Sequence, residues 1–176
     1  MAQAKQRDKR NILVFLLLLI TVAAVCIAVW ALFFRTPAEP ILPDRAPSVE
    51  EHAQPIPGDG EDSIDAKPGS GSVSLTYSNR VDISLADKTA SLLFTNPGRS
   101  NQDLVLQLVI QDRVIFQSGR IKPGNQVTEL DISTKAAAML VPGGYDAVFL
   151  LHFYDPVTGD KAMVTTEIPV SVTVIQ

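Results

Sequence analysis

A chain of 176 residues, with 15 Lys and Arg against 19 Asp and Glu and a single cysteine, has room for one ordinary domain and its attachments. From residue 36 onward there are 18 acidic and 10 basic residues, a balance of −8, and no cysteine. That excludes the strong basic footprint of a nucleic-acid binder, a disulfide framework and a cysteine-bearing zinc site.

Residues 1–11 carry Lys5, Arg7, Lys9 and Arg10, with Asp8 as the one acid. Then "ILVFLLLLITVAAVCIAVWALFF" (12–34) runs for 23 positions without a charge, and Thr21 is its one polar residue. At about 1.5 Å rise per residue such a helix is roughly 35 Å long, enough to cross a hydrocarbon core of about 30 Å. The apolar run exceeds the core of a cleaved signal peptide, about 7–15 residues, which favours an anchor, while Val29 and Ala31 fit a loose small-residue rule and leave cleavage as the alternative. The pattern predicts a single membrane span over 12–34 that contacts the lipid bilayer. Basic residues stay on the cytoplasmic side, so 1–11 is expected inside and everything after Phe34 outside. Trp30, Phe33 and Phe34 fall at the outer interface, and Cys26 lies within the span.

Composition changes again over 35–72, where Pro37, Pro40, Pro43, Pro47, Pro55, Pro57 and Pro68 interrupt any ladder and "GDGEDSIDAKPGSGS" closes the segment. So few apolar residues cannot offset the entropy of ordering, so a disordered acidic stalk is expected there. The acids Asp59, Glu61, Asp62 and Asp65 lack the ligand alternation of a calcium loop.

From Val73 the hydrophobic period becomes two. Strands are predicted in "SVSLTY" (72–77), "VDISLA" (81–86), "ASLLFTN" (90–96), "DLVLQLVIQ" (103–111), "VIFQS" (114–118), "QVTELDI" (126–132), "YDAVFLLHFY" (145–154) and "KAMVTTEIPVSVTVIQ" (161–176). "STKAAAML" (133–140) reads as a short connection of one helical turn or irregular structure. Pro169 cannot donate a ladder bond, so the last strand is expected to be an edge or to break there. The expected fold class is all-β: an antiparallel sandwich over 73–176, following one transmembrane helix and a disordered linker.

One stretch and three sets of side chains invite a chemical reading. "PGGY" (142–145) could be taken for a phosphate loop, but its glycines precede a strand and no Lys-Ser/Thr pair follows. Leu140, Pro142, Gly143 and Tyr145 instead fit a tyrosine corner, in which the hydroxyl bonds to nearby backbone. His52 falls in the stalk, and His152 is placed on the strand face opposite Phe149 and Phe153, exposed or half-buried. Asp103, Asp112, Asp131, Asp155 and Asp160 fall mostly at predicted turns, where Asx hydrogen bonding accounts for them. Arg99, Arg113, Arg120 and Lys122 are expected in loops or hairpin ends on a solvated surface. No nucleophile–base pair is joined by a local motif. No catalytic, cofactor-binding or metal-ligating residue and no small-molecule substrate is therefore expected.

"LLFTNPGRSNQDLVLQLVI", "SGRIKPGNQVTELDI" and "GGYDAVFLLHFYD" together resemble small single-pass envelope proteins of Gram-positive bacteria that carry one immunoglobulin-like or fibronectin-III-like sandwich. The resemblance covers about 90–176. It implies an extracytoplasmic domain on the bacterial cell membrane and is nearly silent on activity. The antibody-type cysteine pair and core tryptophan are absent, because Cys26 and Trp30 both lie in 12–34. The expected function is a membrane-anchored binding or structural protein that meets a protein or cell-wall partner, with strand addition at a sheet edge as one mode. The alternative is an accessory subunit of a secretion, conjugation or pilus assembly.

Overall fold

The computed structural model describes residues 16–25, 44–59 and 71–176, and the chain divides into two units, Met1–Pro40 and Ile41–Gln176. In the first, helix α1 spans 16–25. Its one hydroxyl, Thr21 Oγ1, donates within the helix to the carbonyls of Leu17 (3.0 Å) and Leu18 (2.8 Å). Among the described residues no helix is long and apolar enough to cross a membrane. The remainder of the predicted span, 12–15 and 26–34, lies outside the described residues.

Among its described residues the second unit has nine strands: β1 Gln54–Pro55, β2 Thr76–Tyr77, β3 Arg80–Ser84, β4 Thr89–Asn96, β5 Asp103–Ile110, β6 Arg113–Gln117, β7 Asn125–Asp131, β8 Gly143–Tyr154 and β9 Lys161–Ile175. One helical turn, α2 Thr134–Ala137, is capped by Ser133, whose Oγ accepts the N–H of Ala136 at 3.1 Å. The β5–β6 hairpin turns on Gln111 and Asp112, both at positive φ (50° and 60°), which matches the twist of the flanking strands.

The strands form one mixed sheet in the order β1-β7-β4-β3-β9-β8-β5-β6, with β2 beside β4. Seven pairings are antiparallel, but β3 runs parallel to β9, from Arg80 opposite Ser171 to Ser84 opposite Ile175. The purely antiparallel expectation is corrected at that seam, because a strand paired with β4 on one side takes the end of β9 on the other. The sheet curls over on itself there. Phe94 of β4 and Phe149 of β8 are separated by two strands along the sheet, yet their rings meet edge to face, with centroids 6.0 Å apart. The core between the two halves includes Val81, Ile83, Leu104, Leu106, Leu108, Leu151 and Val172, all buried. Each such side chain contributes about 1.5–3 kcal/mol.

The disordered stalk expected over 35–72 is corrected for residues 44–59, which form a strap on the β unit. Asp44–Ala46 pairs beside the β8–β9 turn: the N–H of Ala46 donates to Gly159 O (2.8 Å) and that of Lys161 to Asp44 O (2.9 Å). Farther on, Arg120 N–H donates to Ser48 O (2.8 Å), Glu50 N–H to Arg120 O (3.0 Å), and β1 pairs with β7. Backbone bonds hold the strap, and a sequence pattern of apolar residues does not reveal them. Residues 35–43 and 60–70 of the predicted stalk lie outside the described residues.

Candidate functional site

The side chains singled out for chemistry are scattered, and most have structural partners. His152 is buried, not exposed or half-buried as expected. It stands between its register partners Val105 and Thr165, and Ala46 of the strap packs close by on Val105 and Tyr154. His152 Nε2 meets Gln107 Oε1 at 3.1 Å, and Gln107 Nε2 donates to Gln117 Oε1 at 2.9 Å. A carboxamide oxygen can only accept, so Nε2 carries the proton and Nδ1, 3.5 Å from Thr165 Oγ1, is the basic nitrogen. Burial, with Lys161 nearby, lowers its pKa to about 4 from 6.5.

That shift sets a pH dependence. Between pH 6.5 and about 4 the unfolded chain binds a proton that the folded chain refuses, so stability is lost as pH falls through this window. The urea midpoint of the parent protein is expected to drop across it, and His152→Gln is expected to flatten the slope. An unchanged slope in the variant would assign the dependence to other groups.

Asp103 is also corrected: it is buried, with its carboxylate 3.1 Å from Arg120 Nη1. Arg120 is thereby turned inward rather than presented on a solvated surface. Asp155 does form the expected Asx turn, its Oδ1 accepting the N–H groups of Val157 and Thr158 at 2.8 Å each. Those two donors, Thr158 first, lower its pKa. His52 lies on the strap, with Nε2 3.3 Å from Asp131 Oδ2, at the rim of a polar cleft of about 250 Å³ beside Glu50 and Glu51. Arg113 Nη1 lies 3.3 Å from Met139 Sδ.

"PGGY" is the corner of a strand. Tyr145 Oη donates to Val141 O at 2.8 Å and accepts the Val141 N–H at 3.2 Å, with Gly143 at φ 150° opening β8. Few residues other than glycine adopt that angle.

The best candidate for recognition is a sheet edge, and it follows from parity. Within a strand, N–H and C=O groups of alternate residues point to the same side. The N–H of Lys161 donates outward to Asp44 O and that of Ser171 to Asn79 O (both 2.9 Å). Thr165 and Glu167 share the parity of Ser171, so their backbone groups face outward as well, whereas the β8–β9 register shifts between Lys161 and Thr165 and interrupts the alternation over 162–164. No strand among the described residues pairs with β9 on that side between these two contacts. Pro169 sits in the same gap with outward parity, where its missing N–H sacrifices no ladder bond, so the expected edge or break is corrected: β9 runs unbroken between β3 and β8. The gap covers residues 162–170, roughly 30 Å at about 3.3 Å per residue. Along its inner side runs a groove of about 630 Å³ lined by Gly71, Val73, Leu75, Phe153, Val164 and Thr166. Met163 is fully exposed and Val164 is 63% exposed. A strand edge with large apolar side chains beside an apolar groove is a template for another strand.

No family model matches the sequence, and no curated protein matches it. Among solved structures, the chain is similar to AggA, the major subunit of aggregative adherence fimbriae type I from Escherichia coli. That match spans 65% of this chain and 99% of the other, at 11% identity and a TM-score of 0.29.

Proposed function

We propose that the protein is a membrane-anchored, extracytoplasmic binding or structural protein that presents an immunoglobulin-like sandwich to a protein or cell-wall partner. The observation that carries this reading is the stretch of β9 that no strand among the described residues pairs with, flanked by its apolar groove. The strand order supports the fold. If β3, β4, β5, β7, β8 and β9 take the places of strands A, B, C, E, F and G, with β6 as C′, one half reads E-B-A and the other G-F-C-C′. Tyr145 then stands at the start of strand F, where a tyrosine corner belongs. The anchor reading rests on the uncharged run 12–34 and on α1 within it, where Thr21 satisfies its hydroxyl inside the helix as a hydrocarbon environment demands. The basic flank of 1–11 supports an inward N-terminus.

Cysteine accessibility tests the placement. In a Cys26→Ala background, Val157→Cys is expected to react with a membrane-impermeant maleimide on intact cells, because Val157 is 91% exposed. Gln3→Cys is expected to react only after permeabilisation. The reverse pattern, or loss of the full chain from the membrane fraction at alkaline pH, would overturn the reading.

A further inference from the structure

We infer that the free stretch of β9 is the open half of a seam that the chain closes on itself: residues 74–79 and 165–170 are matching strand edges, held apart at Pro169. The inference rests on the reading of that stretch as a recognition edge and names what regulates it.

The seam is already zipped over its other half. Parallel pairing of β3 with β9 runs from Ser84 opposite Ile175 back to Arg80 opposite Ser171, and the N–H of Ser171 still reaches Asn79 O at 2.9 Å. There the two strands part. Residues 76–77, which form β2, keep to β4, while β9 keeps to β8. The groove of about 630 Å³ lies in this fork, with Val73 and Leu75 on one side and Val164 and Thr166 on the other.

Both edges of the fork have backbone groups to offer. The N–H of Ser78 donates to Leu93 O at 2.8 Å and that of Ser74 to Ser100 Oγ at 3.0 Å. These even positions therefore face β4 and the loop after it, which leaves the backbone groups of Leu75, Tyr77 and Asn79 on the opposite side. On β9, Thr165, Glu167 and Pro169 share the outward side of Ser171. A strand fits between β4 and β9, because β3 pairs with both. Carrying its register backwards sets Ser78 opposite Pro169, Thr76 opposite Glu167 and Ser74 opposite Thr165, and stops short of the bulge over 162–164. The faces agree as well. Leu75 and Tyr77 then meet Thr166 and Ile168 on the face where buried Val81 and Ile83 meet Val172 and Val174. Ser74, Thr76 and Ser78 stay on the polar outer face.

One bond is missing where the strands part. In this register the next donor after Ser171 is residue 169, whose N–H would reach Tyr77 O, and a proline has none. Beyond it the ladder is complete: Glu167 N–H to Leu75 O, Tyr77 N–H to Glu167 O and Leu75 N–H to Thr165 O. Pro169 is thus a stop set at the one position that halts zipping without disturbing either strand's existing partner. Bonds from Ser72 N–H to Asn101 Oδ1 (2.7 Å) and from Asn101 N–H to Ser72 O (3.0 Å) hold the far end of the segment to the loop after β4. A closed fork leaves β9 no free donor or acceptor over 165–170, so an incoming strand and residues 74–79 compete for the same groups.

The test is hydrogen exchange on the full chain in detergent micelles, compared with Pro169→Val. In the parent the amides of Leu75, Tyr77 and Glu167 are expected to exchange without protection, and in the variant to slow by about tenfold or more. A second measurement uses a Cys26→Ala background with Leu75→Cys and Thr166→Cys, which the closed register sets opposite each other within disulfide reach. Mild oxidation is expected to crosslink them within one chain, and about tenfold faster once Pro169→Val is added. The proposal is overturned if Pro169→Val leaves the three amides unprotected, or if the two cysteines fail to crosslink. It is equally overturned if the amides are already protected in the parent, or if protection in the variant fades on dilution, as for a second copy. Neither result bears on the maleimide experiment, so the fork and the placement fail separately.

Discussion

Arg120→Met is expected to destabilise the β unit by about 3–5 kcal/mol, because it leaves a buried carboxylate without its counter-charge. The Asp103 side chain is 2% exposed and Arg120 reaches it from the far end of the β6 connection, with 22% of its own side chain exposed. Burial raises the pKa of Asp103, while the charges of Arg120 and Lys122 oppose that rise. The sign of the pH dependence follows. A carboxyl whose folded pKa lies above the unfolded value of 3.8 holds its proton longer in the folded state, so its contribution weakens the fold as pH rises through the folded pKa. Without Arg120 that pKa climbs further. The deficit of the variant is therefore expected to be largest near neutral pH and to shrink as Asp103 becomes protonated.

The double variant Asp103→Leu with Arg120→Met is expected to return to within about 1 kcal/mol of the parent, since removing both charges also removes both desolvation penalties. Arg120 Nε is buried and has no hydrogen-bond partner, so the pair is incompletely satisfied and its net worth is modest. Urea unfolding followed by circular dichroism reads all three proteins. A single variant as stable as the parent at neutral pH would show that the ion pair holds nothing together.

Asp103 also shows why part of this molecule is hidden in its sequence. The motif "SNQDL" reads as a turn, and the residue that buries the acid lies 17 positions later, beyond the reach of any local pattern. The strands, by contrast, announce themselves. Leu104, Leu106, Leu108 and Ile110 alternate, and all four reach the core. Val105 on the opposite face was the available hint that β5 is covered on both sides, as it is by the strap and Ala46. The strap itself gave no such signal. "RAPSVEEHAQPIPGD" (45–59) has prolines and charges at no regular period, because its attachment runs mostly through backbone groups, to which Glu50, His52 and Asp59 add single side-chain contacts that no local period marks. The parallel seam is hidden for a different reason: it joins Arg80 to Ser171, 91 positions apart, and periodicity says which face is buried but not which strand lies alongside. Pro169 did not make β9 an edge or break it: the strand runs unbroken between β3 and β8, and the proline falls in the stretch that β3 does not reach. The groove beside it needed the fold.

The strap supplies the second large expectation. Gly119→Ala is expected to peel residues 44–59 from the β unit and to lower stability by about 1–3 kcal/mol, the usual cost of overpacking. A Cβ on Gly119 would lie 2.8 Å from both Cα and N of Glu50 and 2.9 Å from Ser48 O. These are backbone atoms, so no rotamer change relieves the clash and one strand must move. Movement breaks the bonds from Arg120 N–H to Ser48 O and from Glu50 N–H to Arg120 O, together with the charge-assisted bond from Gly119 N–H to the Glu50 carboxylate. Beyond this middle stretch the strap is held by Ala46 N–H to Gly159 O, Lys161 N–H to Asp44 O, the β1–β7 pair and the packing of Ala46 and Ala53, so loosening starts at Ser48–Glu50 and spreads to those contacts. Trypsin cleavage after Arg45 is expected to quicken, and amide exchange at Glu50 and Arg120 to rise by about tenfold or more, in step with the lost free energy. Gly144→Ala provides the control, because nothing lies within 4 Å of the added methyl group. If the two variants were cleaved and unfolded alike, the close approach at Gly119 would not be what fastens the strap. If Gly119→Ala loosened residues 44–59 but left the core strands protected, the strap would be a separable covering over a sheet that folds without it.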